Sequence, residues 1–325
     1  MSGPRVSLLL GAWALCGGWV MAQDEATYAE RLGWPQGTRA LILHADDVGM
    51  SLESNEGTRE GFADGLVTSC SVMMPCSWVP DWLGVMQENP DWDCGLHLTL
   101  TSEWRGYRWV PVAGRDAVPG LVDDTGYMWR AVLGTIMRAT ADEVETEIRA
   151  QIALARRMGM PISHLDSHMG TLFYSPAYFD RYLKVGIEMG IPVMIMSGKH
   201  NRTDAPDLLV QQVRRGAQRA WDGGLPVLDD LFTETADTGD PEEMIAALID
   251  RLRNLEPGVT QIILHPTRPD ANWNRISGSG RKREAELEMV LSPEVKTVIE
   301  EEGIVLTTWR ELKERRDAVG DLPEE

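Results

Sequence analysis

The stretch His44-Ala45-Asp46-Asp47-Val48-Gly49-Met50-Ser51 follows directly on the apolar run Ala40-Leu41-Ile42-Leu43. A short apolar run bounded by a glycine turn reads as a buried strand, here Arg39 to His44, ending in two adjacent carboxylates. Adjacent acids repel and are costly to bury, so a folded chain keeps such a pair solvated or gives it a charged partner. Three histidine segments offer that partner: Gly95-Leu96-His97-Leu98-Thr99, His164-Leu165-Asp166-Ser167-His168 and Leu264-His265-Pro266. The chain has only six histidines, and most fall where strands are expected to end. Together these segments point to a metal-dependent hydrolase.

Strand-like apolar runs recur on either side, with helical segments between them. Strands are expected over Val67 to Met74, Cys94 to Leu100, Ile162 to Leu165, Ile191 to Met196, Gln261 to His265 and Ile304 to Thr308. Helices are expected over Asn55 to Asp64, Pro80 to Asn89, Ala141 to Met158, Pro176 to Met189, Pro241 to Asn254 and Ser292 to Glu302. In the third of these, Glu143, Glu147 and Arg149 fall on the polar face. Alternating β and α segments predict an α/β fold with a parallel sheet, and this many units predict a (β/α)-barrel-like closure. Asp46, Asp47, His168 and His265 lie at or just past C-terminal strand ends and His97 within its strand, so the site belongs at the C-terminal face. A doubly wound sheet would usually carry a Gly-rich phosphate loop, and none is present.

The N-terminus reads as an export signal. Arg5 precedes the apolar run Val6 to Val20, and Val20-Met21-Ala22 supplies small residues at −3 and −1 of a cleavage site. The run is short for a membrane span, which needs ~20 apolar residues. The expected organisation is therefore a signal peptide over 1–22 and one barrel domain over 23–325, exported to a periplasmic or extracellular space, with no stable membrane insertion after cleavage. A lipid anchor on Cys16 is a poorer fit, because Leu15 is large for that site. The net charge of −19 argues against a nucleic-acid or anionic-membrane partner, since phosphates would be repelled. Cys70, Cys76 and Cys94 have no metal-type spacing, allow at most one disulfide, and have the apolar neighbours of buried free thiols.

One carboxylate and two imidazoles suit a hard or borderline divalent ion, magnesium or zinc, while leaving positions for water and substrate. Asp47, His97 and His168 supply that set from three strands. Residues 164, 166 and 168 share a face if their strand continues, so His164 and Asp166 are candidates for a supporting role or an alternative ligand. Beside the ion, Asp46 is placed to take a proton from water, and His265 to protonate a leaving group.

These blocks resemble a known family. His44 to Ser51, with Asn55, Gly57 and Gly65-Leu66-Val67-Thr68-Ser69, is similar to the opening of the YdjC-like carbohydrate deacetylases, the chito-oligosaccharide deacetylase family. Gly95 to Thr101, His164 to His168, His265-Pro266, Arg283-Glu284-Ala285-Glu286-Leu287 and Gly303 to Leu306 match later blocks in order, over roughly residues 38–312. The resemblance implies a (β/α)-barrel-like fold and metal-dependent removal of N-acetyl groups from amino sugars. It assigns metal binding to Asp47, His97 and His168, the base role to Asp46 and the acid role to His265. Two positions depart from the family: Met169-Gly170-Thr171 follows His168 where further histidines are common, and His44 stands where Asn is common.

For substrate, Trp104, Arg105 and Trp109 lie in the loop after His97, and aromatic faces stack on sugars. The partner expected is an N-acetylated carbohydrate. Two rival functions stay open: a metal-dependent hydrolase of another amide or ester, and a glycan-binding protein without turnover, which would need neither Asp46 nor His265.

Overall fold

The computed structural model describes residues 26–104, 106–199, 207–233 and 238–320. The expected signal peptide and Arg105 lie outside the described residues. The described strands are β1 (Arg39–Val48), β2 (Ser69–Val72), β3 (Cys94–Leu98), β4 (Leu165–Ser167), β5 (Asp230–Phe232), β6 (Gly258–Leu264) and β7 (Val305–Leu306). They form one sheet in the order β4-β3-β2-β1-β6-β5, with β7 also on β1, and every pairing is parallel.

The sheet curls until its edges meet through residues 192–197. Met194 N–H donates to Leu165 O at 2.8 Å, Leu228 N–H to Ile195 O at 2.9 Å, and Asp229 N–H to Val259 O at 2.8 Å. The strand expected over Ile191 to Met196 is thus present as isolated bridges; Pro192, which has no N–H to donate, interrupts a regular ladder there.

Side-chain alternation sorts each strand into two layers. In β1, Leu41, Leu43, Ala45 and Val48 pack outward against the helices, while Ala40 and Ile42 join an inner cluster with Met194, Leu228, Val259, Ile263 and Trp309. His44 and Asp46 continue the inward row. Asp47 breaks it: with φ 64° it inserts an extra residue, and the register of β1 on β2 shifts between Ala45 and Val48. Such a bulge re-aims a side chain. Two consecutive acids thereby reach one site while Val48 returns to the outer core.

The strand therefore runs four residues past its expected end. The next helix, Leu52–Ala63, starts earlier than expected because Ser51 caps it, accepting from Ser54 N–H at 3.2 Å. Asn55 Oδ1 accepts the Gly49 N–H at 2.7 Å and holds the turn between strand and helix. Helix Ala141–Arg157 opens with a capping box between Thr140 and Glu143. Its Glu147 is fully buried rather than on the polar face, because its carboxylate accepts the N–H groups of Val112 and Ala113 from the loop folded over it. Helices Asp207–Asp222, Gly280–Leu291 and Trp309–Gly320, all rich in charge, were not among those expected. Cys70, Cys76 and Cys94 are buried free thiols.

Candidate active site

Asp46, Asp47, His97, His168 and His265 all line one cleft of about 670 Å³ at the C-terminal ends of the strands. The three donors expected to hold a cation come together: His97 Nε2 is 3.5 Å and His168 Nδ1 3.3 Å from Asp47 Oδ1. That oxygen is buried and has no hydrogen-bond donor. Each histidine spends its other nitrogen on a carboxylate. His97 Nδ1 lies 2.6 Å from Asp166 Oδ1, and His168 Nε2 lies 3.1 Å from Glu103 Oε2. A backing carboxylate orients a ligating imidazole and raises its basicity, so the donor set fits a divalent ion.

The field of the cluster favours positive charge. Burial opposes a charge on His168, but Glu103 and Asp47 outweigh it and push the imidazole up to about 10. Burial likewise opposes charge on Asp47, yet Arg283 and then His168 hold its carboxyl well below the usual carboxylate range. Arg283 Nη2 sits 2.6 Å from Asp47 Oδ2, the oxygen turned away from the histidines.

Asp46 has a separate set of partners. Its Oδ1 is 3.1 Å from His44 Nε2 and accepts from Ser71 Oγ at 3.3 Å, while Oδ2 is 3.6 Å from His97 Nε2. His44 Nε2 is also 3.1 Å from Asp166 Oδ2. Burial works against a charged His44, but Asp166 and Asp46 overcome it and carry the ring up to about 9.

Residues 164, 166 and 168 do share the inward face. His164 lies deepest, stacked on Trp309 with ring centroids 5.1 Å apart, its Nδ1 2.9 Å from Ser163 Oγ. Gly95 lies beside it on the neighbouring strand β3, and a Cβ there would land on the His164 ring. Donor atoms of His44, His164 and Asp166, and of Asp46, His97 and Asp166, also fall within 4.8 Å of one another. The first set is sealed from solvent, and in the second His97 Nδ1 and Asp166 already satisfy each other. The set of Asp47, His97 and His168 opens to the cleft.

His265 stands across the cleft, its N–H donating to Glu286 Oε2 at 2.7 Å and its Nδ1 3.5 Å from the same oxygen. Glu286 and Arg283 come from helix Gly280–Leu291, three residues apart and therefore on one face. Glu103, Arg283, Glu286 and Ser71 carry site contacts that no motif role assigned in advance; for Arg283 and Glu286 the ordered family block was the available signal.

Of the aromatic candidates, Trp109 is buried, its indole N–H donating to Thr101 O at 2.8 Å and its ring packed with Met50, Met73, Met128 and Trp273. Trp104 packs edge-on against Trp109 and Trp273. Neither lines the cleft. The loop uses these rings to fold back on itself, where each buries more apolar surface than it would in open solvent.

A parallel barrel carrying this His/Asp cluster on its C-terminal rim has the layout of a hydrolase, and its relatives give the class, carbohydrate deacetylase. The chain belongs to the YdjC-like protein family, whose model matches residues 40–301. It is 28% identical to a carbohydrate deacetylase of Thermoanaerobacter pseudethanolicus over 84% of this chain and 99% of that protein. It is 31% identical to one of Thermus thermophilus over 88% of this chain and 97% of that protein. A solved structure from Enterococcus faecalis V583, described as a cellobiose-phosphate cleavage protein, superposes with a TM-score of 0.72 at 26% identity, covering 85% of this chain and 99% of that one.

Proposed function

We propose that this chain hydrolyses the N-acetyl group of an amino-sugar substrate, with a divalent ion held by Asp47, His97 and His168. The observation that carries the reading is the pair of backed imidazoles facing the orphaned Asp47 Oδ1. Such an ion supplies Lewis acidity, drawing electron density from a carbonyl and easing the ionisation of water. Asp46, held 3.1 Å from His44 Nε2, accepts the proton of the attacking water as its oxygen bonds to the acetamide carbon. Glu286 engages Nδ1 of His265, so the proton delivered to the sugar nitrogen comes from Nε2 as the C–N bond breaks. Acetate and a free amine leave. Arg283 takes no part in proton transfer; it neutralises Asp47 and fixes its second oxygen.

The test is acetate release from a panel of N-acetylated sugars by metal-stripped and metal-restored protein, with metal content measured for His97→Ala and His168→Ala. Release should vanish on stripping, return with a divalent ion, and fall with metal content in both variants. Normal metal occupancy in both variants would sink the assignment.

A further inference from the structure

The cleft is two-faced. One end carries the charged groups described above; the other is walled by Phe173, Met194, Met196, Val213, Leu231 and Ile263. Met194 and Ile263 belong to the barrel's inner core, and Phe173, Met196 and Leu231 pack on it, so apolar side chains reach the catalytic rim along this wall, the buried Gln261 amide among them with its Nε2 3.4 Å from Met194 Sδ. A second pyranose seated there would lose most of its hydration to apolar side chains that return no hydrogen bonds, with Gln212 and Thr233 the polar chain neighbours of Val213 and Leu231 in the lining, at a cost for each hydroxyl left unpaired. The cleft's volume of about 670 Å³ is also more than one acetamido sugar fills.

The mouth repeats the pattern. Tyr174 is 69% exposed and Met169 45% exposed, and both line the cleft. Thr101 Oγ1 donates to Met169 Sδ, and the preceding Leu100 carbonyl accepts from Thr135 Oγ1. Thr135 lies on the short helix Val132–Ile136, which with the residue after it exposes Leu133 at 66% and Met137 at 71%. Large apolar side chains exposed beside a binding cleft mark a surface that meets apolar matter.

We infer that the substrate is an N-acetylated amino sugar bearing an apolar substituent, an alkyl or aryl group, which seats against the Met194, Met196 and Leu231 wall while the acetamide reaches Asp46 and His265. This inference rests on the deacetylase reading and narrows its substrate class. The wall binds ground state and transition state alike, so the substituent acts through KM.

Acetate release from the methyl and octyl β-glycosides of N-acetylglucosamine and from di-N-acetylchitobiose tests it. The octyl glycoside should exceed the methyl glycoside in kcat/KM by about tenfold or more, because each buried methylene contributes a severalfold gain, with kcat little changed. Met196→Gln, Leu231→Gln and Tyr174→Ser should each shrink that ratio; Tyr174 is exposed enough that its variant folds. A ratio near one, or chitobiose outperforming the octyl glycoside, overturns the inference and leaves the deacetylase reading standing. If no sugar releases acetate, the deacetylase reading falls, and the wall is judged by calorimetric binding of octyl against methyl β-glucoside below the micelle threshold. Octyl-selective binding weakened in the variants supports an apolar ligand; equal or absent binding overturns it.

Discussion

Asp46 and Asp47 are chain neighbours with different partners, and the division predicts different defects. Asp46→Asn keeps the size of the side chain but removes the proton acceptor. Metal content should hold while turnover falls on the order of 10²–10⁴-fold. Asp47→Asn replaces the oxygen that His97 and His168 face with a poorer ligand, so metal itself should be lost; paired metal titrations and acetate-release rates distinguish the two. The reverse pattern would exchange the roles. Arg283 acts one contact further out. Arg283→Met leaves all three proposed ligands in place but removes the cation 2.6 Å from Asp47 Oδ2. Metal affinity should drop roughly 10–100-fold, the usual scale for a group behind a ligand, and an unchanged dissociation constant would reduce Arg283 to a packing residue.

At the scale of elements, the bulge in β1 and the buried carboxylate of helix Ala141–Arg157 carry the argument. Without the bulge, alternation would send Asp47 into the outer core among Ala45 and Val48, where an acid has no partner. Glu147 ties the loop of Val112 and Ala113 to its helix, and Gln151 Nε2 also donates to it, at 2.8 Å. Burial pushes its carboxyl up to about 7 against those three hydrogen bonds. The folded state therefore holds a proton at Glu147 that the unfolded chain, with an ordinary carboxyl near ~4.5, has released. Stability from this group is present below the unfolded value and declines as pH rises towards about 7. Glu147→Gln should flatten that decline relative to the parent protein in thermal melts from pH 4.5 to 7.5. It should also cost about 1–3 kcal/mol, because an amide cannot accept from both loop N–H groups and leaves one unpaired. Parallel melting profiles for the two proteins would contradict this account.

For the whole molecule, the site is assembled from β1, β3, β4, β6 and helix Gly280–Leu291, so an ion bound there ties distant parts of the chain together. Binding to the folded state alone stabilises it by mass action, about 2.7 kcal/mol at a hundredfold excess over Kd. A divalent ion should raise the Tm of stripped protein and have no such effect on His97→Ala. Export is the other property of the chain as a whole. We propose cleavage after Ala22, which predicts a mature N-terminus at Gln23; N-terminal sequencing of protein recovered from the secreting cell decides it, and retained Met1 in soluble cytosolic protein would count against it.

The parallel α/β barrel and the convergence of Asp46, Asp47, His97, His168 and His265 on one cleft were legible in the sequence because both follow from local pattern: apolar runs at strand length, helical periodicity between them, and polar residues where runs end. The ordered blocks from His44 to Leu306 carried the family. What the pattern could not carry is anything set by contacts between distant segments. Glu103 behind His168, Arg283 on Asp47 and His44 on Asp166 are pairings across 65, 236 and 122 residues respectively. Glu147 looked solvated by helical phase and is buried by a loop; Trp109 looked available to a sugar and is consumed by packing. Side-chain type and spacing determine which face of an element a residue occupies, whereas the packing of other elements on that face determines whether it meets water, a partner or substrate.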